Sequence, residues 1–442
     1  MGTSIQEIGD SAFYQCSNLK TVQLGENLKR IGNDAFYNCK ALTSITIPDN
    51  VESIGERAFY DCAELSSLVL GQKLKKIEIN TFAYCKKLTT VIIPDNIEEI
   101  GAAAFSNCSG LVNLHLGDNV KYIRGDAFTY CGLSEVIIPN SVLSIDNMAF
   151  FENENLKTIV LGENVSSIGD RALFSYEPKY RYTIYSKNPT PPVADNSNFM
   201  GFNKDGDPRS HINKLYVPLG SEAQYLEAPA FGWSTPNTTG SFIVMKHNEA
   251  TLTLPFNADF SEVKGMDSDF HLTASDNLKA YQFKHYDTGS DVIHSSLIKG
   301  VIPSSTGLLV TGTEGAYYCL DKSTNSPTTD FSSNKLVGVL ERTNMDDMVA
   351  SSANRYYIFV NGKFCVCSGG NLAAYKAYLD LGENANAKDI RISWIDEETN
   401  SIESVTEGKD NDSWISVQGI KMNKRPAKSG IYIHNNKKVY IK

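Results

Sequence analysis

Residues 42–62 read Leu42-Thr43-Ser44-Ile45-Thr46-Ile47-Pro48-Asp49-Asn50-Val51-Glu52-Ser53-Ile54-Gly55-Glu56-Arg57-Ala58-Phe59-Tyr60-Asp61-Cys62. Ile45 and Ile47 alternate with Ser44 and Thr46, the two-residue period of a strand with one buried face. Pro48 ends that strand because it has no ladder donor. Val51 and Ile54 form a second short apolar pair. Ala58-Phe59-x-x-Cys62 then occupies about one helical turn, which directs the ring inward.

The same reading recurs along the first 175 residues. Ile8-Gly9, Ile31-Gly32, Ile54-Gly55, Ile77-Glu78, Ile100-Gly101, Ile123-Arg124, Ile145-Asp146 and Ile168-Gly169 are 23 residues apart, except for one step of 22. The short step falls at Cys131-Gly132-Leu133, one residue fewer than Cys108-Ser109-Gly110-Leu111. An aromatic column runs through Phe13, Phe36, Phe59, Phe82, Phe105, Phe128 and Phe150, and a thiol column through Cys16, Cys39, Cys62, Cys85, Cys108 and Cys131. Strand ends carry Gly25, Pro48, Gly71, Pro94, Gly117, Pro139 and Gly162 in strict alternation, which points to a 46-residue doublet. One such unit cannot bury its own apolar side, whereas stacked units share a continuous core, which is the logic of a solenoid.

The pattern Leu-x-x-Ile-x-Ile-Pro-x-x-Val-x-x-Ile-Gly-x-x-Ala-Phe-x-x-Cys resembles the BspA-type leucine-rich repeat of Bacteroidetes surface proteins, over residues 5 to about 175. The expected fold is an α/β leucine-rich-repeat solenoid, strand-dominated with one short helical turn per rung, followed by an all-β sandwich-like domain. The resemblance implies a cell-surface or secreted protein that contacts a protein ligand, host extracellular matrix proteins among them. Met1-Gly2-Thr3-Ser4-Ile5 has neither the basic nor the apolar region of a secretory leader, and the array opens in mid-unit without a polar cap. Both are expected of a chain cut from a longer precursor whose leader has been removed.

The expected division is a solenoid over 1–177, a cap over 178–240, an all-β domain over 241–396, a polar linker over 397–412 and a basic hairpin over 413–442. The cap is rich in Pro and Asn, with a strand at Leu215–Val217 and a helical stretch around Glu222 to Leu226. It resembles the closing segment of such arrays and would hide the exposed core edge. Short β-branched and aromatic runs follow, such as Gly307–Thr311 and Tyr356–Val360, with Asn361-Gly362 as a hairpin signal. This stretch is similar to a β domain at the C-termini of Bacteroidetes secreted proteins. The last 30 residues hold seven basic and no acidic side chains. They resemble a C-terminal sorting segment of the same phylum, although much shorter than a full sorting domain, and read equally as an edge hairpin.

Charge and motifs exclude much. With 51 acidic against 41 basic residues the net charge is −10, a poor match to nucleic acid, whose binding needs cations to displace counterions. No apolar run approaches the ~20 residues of a membrane span. Nucleophile elbows, phosphate loops and zinc-protease helices are absent, the seven histidines are scattered, and no carboxylate pair stands out. The chain reads as non-enzymatic, with no cofactor and no metal. The column cysteines lack the paired spacing of metal ligands and read as small buried hydrophobes. Asp205-Gly206-Asp207 hints at a calcium loop, but the twelve-residue pattern with its closing Glu is missing.

The open strand face is the expected partner surface, through Thr21, Gln23, Thr46, Val69, Ile92, Asn113, His115, Glu135, Ile137 and Val160. Aliphatics facing water beside polar groups resemble an interface. The competing readings are strand preference or cover by the C-terminal domain. A second functional reading is glycan binding by the all-β domain, with Tyr317-Tyr318, Tyr356-Tyr357 and Trp394 as candidate aromatics. Alternation along a strand prevents either Tyr pair from forming one platform.

Overall fold

The computed structural model describes residues 4–176, 181–194, 200–202, 208–210, 212–226, 239–261, 263–273, 277–287, 290, 292–327, 329–351, 356–360, 362–381, 389–395, 414–416, 421–422, 430–434 and 437–441. Asp205-Gly206-Asp207 and the 397–412 linker lie outside them. The chain forms two units. One comprises Met1–His247, Glu262–Asn277 and Thr313–Ser323; the other comprises Asn248–Ser261, Leu278–Gly312 and Thr324–Lys442.

The first unit is a strand-dominated solenoid. One face carries the longer strands, among them Ser44–Thr46, Ser67–Val69, Thr90–Ile92, Asn113–His115, Glu135–Ile137 and Thr158–Leu161. The other carries two-residue strands such as Arg30–Ile31, Ser53–Ile54 and Lys76–Ile77. Partners pair parallel and in register, as in Ile45↔Leu68, Val91↔Leu114 and Ile31↔Ile54.

The Ala-Phe-x-x-Cys segment differs from the helical turn that its spacing predicts. Two residues four apart take left-handed φ in each of the first seven rungs, as at Asp34 (55°) with Asn38 (59°) and Ala103 (52°) with Asn107 (59°). Such residues cannot continue a right-handed helix. The N–H groups of Asp34, Phe36 and Asn38 donate instead to Glu56, Ala58 and Tyr60 of the next rung at 2.9, 2.7 and 2.8 Å. Those of Tyr37 and Cys39 close turns onto Asp34 and Phe36. A helical turn would spend these donors within its own rung; here they form a third inter-rung ladder.

Inside, the Phe column is continuous. Ring centroids from Phe13 to Phe150 are 5.0 to 5.4 Å apart, with interplanar angles of 12° or less. Each thiol from Cys39 onward donates to the carbonyl of the preceding rung's Phe, Cys39 to Phe13 at 3.2 Å and Cys108 to Phe82 at 3.2 Å. Burial pushes the Cys39 thiol up to about 11 and Cys108 to about 12, with Cys62, Cys85 and Cys131 also raised. These are inert packing groups. Phe13 is only half-buried and Cys16 is exposed, because among the described residues a neighbouring rung covers them on one side alone.

Two irregularities have local explanations. At the short rung, Leu133 has no intra-rung turn partner like that of Leu111 N–H on Cys108 at 2.8 Å. Asn153, standing in the thiol column, repairs this. Its Oδ1 accepts from Leu133 N–H (3.2 Å), and its Nδ2 donates to Phe128 O (3.0 Å) and Phe150 O (2.8 Å). The Gly/Pro alternation is steric. A Cβ at Gly71, Gly117 or Gly162 would stand 2.3, 2.7 or 2.3 Å from the carbonyl oxygen of Pro48, Pro94 or Pro139 in the preceding rung.

The sheet outlasts the sequence repeat. Tyr182–Ser186, Ile212–Pro218 and Thr239–Val244 add three parallel strands. The short helix Glu222–Leu226 contributes Tyr225 to the core, where its hydroxyl donates to Asn188 O (2.8 Å) and lies 2.7 Å from Ser186 Oγ. Tyr317–Leu320 then pairs antiparallel with Thr239–Val244, and Gly265–Met266 with Tyr317–Leu320. These last two strands join the solenoid sheet, although they fall within the 241–396 stretch.

Among the described residues, the regular elements of the second unit are strands apart from the helix Met345–Ser351. Nine strands make one sheet around Tyr281, Leu309, Tyr357, Phe364, Leu379 and Ile390. The Thr306–Val337 bridge and the bond from Thr253 Oγ1 to Lys376 O (2.8 Å) bring its ends together. Among the described residues it is one curled sheet. Further along, Trp414–Ser416, Lys421–Met422, Gly430–His434 and Lys437–Ile441 pair antiparallel.

Two substitutions test the irregularities. Asn153→Ala strands Leu133 N–H and two Phe carbonyls and is expected to lower stability by about 1–3 kcal/mol, with Asn153→Cys recovering only part. Gly117→Ala is expected to cost about 1–3 kcal/mol through backbone overpacking. Urea unfolding followed by circular dichroism reads both; unchanged midpoints would refute the two explanations.

Candidate functional site

The two sheet faces of the solenoid differ in chemistry. On the narrow-strand side, charges answer one another from rung to rung. Arg30 meets Glu7 and Asp10, Lys76 meets Glu78 and Glu99 (3.1 Å each), and Arg124 meets Glu99 (2.7 Å) and Asp146 (3.5 Å). The Arg124 hydrogen bond holds the Glu99 carboxyl below its ordinary range. Exposed pairs of this kind add little stability, but they leave this face self-compensated.

The longer-strand face is nearly uncharged where it is open. Thr21, Gln23, Thr46, Asn113 and His115 are exposed, and Val69 and Ile92 show 52% and 62% of their surface. Each aliphatic sits opposite the inward Leu and Val positions of its strand, so burying it inward would flip the strand.

Further along, the face is covered by its own chain. Val160 is 0% exposed, and Ile137 and Glu135 are half-buried. They lie under a strap formed by 263–273 and the strand Tyr317–Leu320. Phe270 stacks on Tyr185 at 4.3 Å and meets Phe242 and Tyr317 edgewise at 5.0 Å each. Its φ of 61° is rare for a bulky side chain, and the loop is fixed by Asp267 Oδ1, which accepts from Asp269 and His271 N–H. Ion pairs fasten the edges: His271 Nε2 to Glu135 (3.0 Å), Lys187 to Asp269 (3.8 Å) and Lys214 to Asp321 (2.6 Å), with Tyr216 OH donating to Asp321 at 2.8 Å. Glu135, Ile137 and Val160 therefore belong to an internal interface and not to an open binding stripe.

A hollow of about 370 Å³ opens at the short rung beside Tyr84, Asn107 and Tyr130. Its buried carboxylate, Glu152, is already engaged by Ser175 Oγ (3.0 Å) and Tyr176 N–H (2.9 Å). Among the described residues no three His, Cys, Asp or Glu side chains gather as a metal set. Four of the five aromatics considered for glycan binding are packed within the protein. Tyr318, Tyr356 and Tyr357 are buried, Tyr317 lies in the strap cluster, and the Trp394 side chain is outside the described ones.

The repeat geometry agrees with the family comparison. Residues 1–109 and 75–190 match the family described as BspA type leucine rich repeat region, in six copies. The first 190 residues are a BspA-type leucine-rich repeat array. The chain is similar to a leucine-rich repeat protein from Bacteroides ovatus, at 22% identity over 55% of this chain and 76% of that one, with a TM-score of 0.35. A leucine rich cell surface protein from Faecalibacterium prausnitzii gives 20% over 54% and 83%, TM-score 0.30. A leucine rich repeat protein from T. pallidum gives 26% over 39% and 73%, TM-score 0.31. No curated protein matches the chain.

Along the array, the competing reading of cover by the C-terminal domain holds for Glu135, Ile137 and Val160, but the covering segment itself could not be named from sequence. Met266-Asp267-Ser268-Asp269-Phe270-His271 carries one aromatic among polar residues and no periodicity, so nothing local announces a docking segment. Among the described residues no helix is long and apolar enough to cross a membrane.

His271 makes the strap edge pH-dependent. The Glu135 hydrogen bond, opposed by burial and helped by the charges of Asp267 and Asp269, raises its pKa above the ordinary value. The contribution is complete below the unfolded value near 6.5 and is lost as pH rises through the raised folded one. Half-exposed, the pair is worth under about 1 kcal/mol, too little to release Phe270, whose burial is worth about 1.5–3 kcal/mol. The strap's amide protection factors, taken relative to the intrinsic base-catalysed rate, are therefore expected to fall modestly from about pH 6 to 8.5 and to lose that dependence in His271→Gln; an identical profile in the variant would refute the assignment.

Proposed function

We propose that the protein is a non-enzymatic surface or secreted interaction protein whose open strand face takes a protein partner, host extracellular matrix proteins being the candidate class. One observation carries the reading. The same strand face that binds the chain's own strap at Ile137 and Val160 continues, uncovered and uncharged, through Val69 and Ile92. A surface that seats an aromatic-bearing segment in its later rungs has the chemistry to seat one in its earlier rungs. The contacts are Thr21, Gln23, Thr46, Val69, Ile92, Asn113 and His115.

The repeat family supports an interaction role, since stacked rungs present extended binding surfaces. The surface location rests on the family and on a relative described as a cell surface protein. The self-compensated charges of the opposite face argue against that side.

The test is binding of the full chain to a panel of matrix proteins and to a glycan array. A protein ligand is expected, with binding weakened at least about tenfold in Val69→Lys/Ile92→Lys, as for loss of central contacts. Ser53→Lys on the opposite face should leave it unchanged. Binding to glycans alone, or protein binding indifferent to the double substitution, would overturn the proposal.

A further inference from the structure

Seven histidines are scattered through the sequence, yet the second unit brings two of them face to face. The hairpin Lys279–Asp287 and Val292–Ile298 pairs antiparallel, with an irregularity between Phe283 and His285 that places His285 directly opposite His294. Their rings stack with centroids 4.3 Å apart and planes 14° from parallel. His285 is exposed and His294 half-buried.

This arrangement is awkward for protonated rings and well suited to neutral ones. Two imidazolium cations at that separation would repel, so the stacked geometry favours neutral rings. Neutral imidazole is the ligand form for zinc, copper and nickel ions. The rings stack rather than converge, so chelation requires rotation about the side-chain bonds. His285 is exposed, so its ring has solvent to turn into.

We propose that His285 and His294 form a two-imidazole chelate for a divalent transition-metal ion across this hairpin. The protein supplies two ligands, and solvent or an outside group fills the other positions. Affinity follows the order for nitrogen ligands, with Cu²⁺ above Ni²⁺ and Zn²⁺, while Mg²⁺, which prefers oxygen ligands, does not compete. Bound ion links the two strands and stabilises the second unit by mass action.

The test uses full-length protein stripped by a chelator and titrated calorimetrically with Cu²⁺, Ni²⁺, Zn²⁺ and Mg²⁺. One equivalent of Cu²⁺ is expected to bind, with affinity falling at least about tenfold in His285→Asn and equally in His294→Asn, while His247→Asn binds as the parent does. Should either variant fold poorly, carbethoxylation of the parent protein gives the second measurement. Cu²⁺ should then protect His285 and His294 and leave His115 and His247 labelled. Undiminished binding in both variants, or protection of other histidines instead, would show adventitious coordination and overturn the site.

Discussion

The ring and carbonyl of each rung's Phe are where the solenoid is held together. Phe36 stacks on Phe13 and Phe59, and its carbonyl accepts Cys39 N–H within the rung and Cys62 Sγ–H from the next. A buried carbonyl has two lone pairs to satisfy. The thiol is small enough to fill the core and polar enough to answer the second one. Aromatic stacking adds about 0.5–1.5 kcal/mol per pair beyond burial, so the column contributes more than apolar volume alone. It also fixes register, because a slipped rung would misplace ring and thiol together.

That coupling explains why the array could be read directly. Where Phe, Cys and the alternating strand pairs recur, each residue has one geometric duty and the period reveals it. The helical turn was misjudged for the same reason that the period is strong. Spacing counts residues but does not show backbone handedness, and the left-handed pairs such as Asp34 and Asn38 carry no common residue type across rungs. Asn153 was equally opaque. It looks like a lapse in the thiol column, and its purpose appears only when the shortened loop leaves Leu133 N–H in need of a partner.

The site was half legible. Outward-facing positions follow from alternation, so Val69, Ile92 and His115 could be placed on one stripe from sequence alone. Their fate depends on what else reaches that stripe, and the strap returns from residues more than 100 positions away in sequence. Phe270 finds Tyr185 through tertiary proximity, with no local pattern to signal it. The His285–His294 contact required a hairpin register, including a one-residue irregularity, that periodicity does not specify.

The strap also bears on why the open rungs stay open. Ile137 and Val160 are the same kind of residue, in the same column, as Val69 and Ile92. Cover therefore does not track the chemistry of the column itself; it tracks what stands beside it. The later rungs are flanked by Glu135, Lys187 and Lys214, which pair with His271, Asp269 and Asp321. The earlier rungs present Thr21, Ser44, Ser67, Thr90 and Asn113 at the position of Glu135. A neutral flank gives His271, Asp269 and Asp321 of the strap no counter-charge, so charge adds nothing to cover there. An outside partner for the open stretch would be selected by the same rule, through shape and apolar contact with little help from charge.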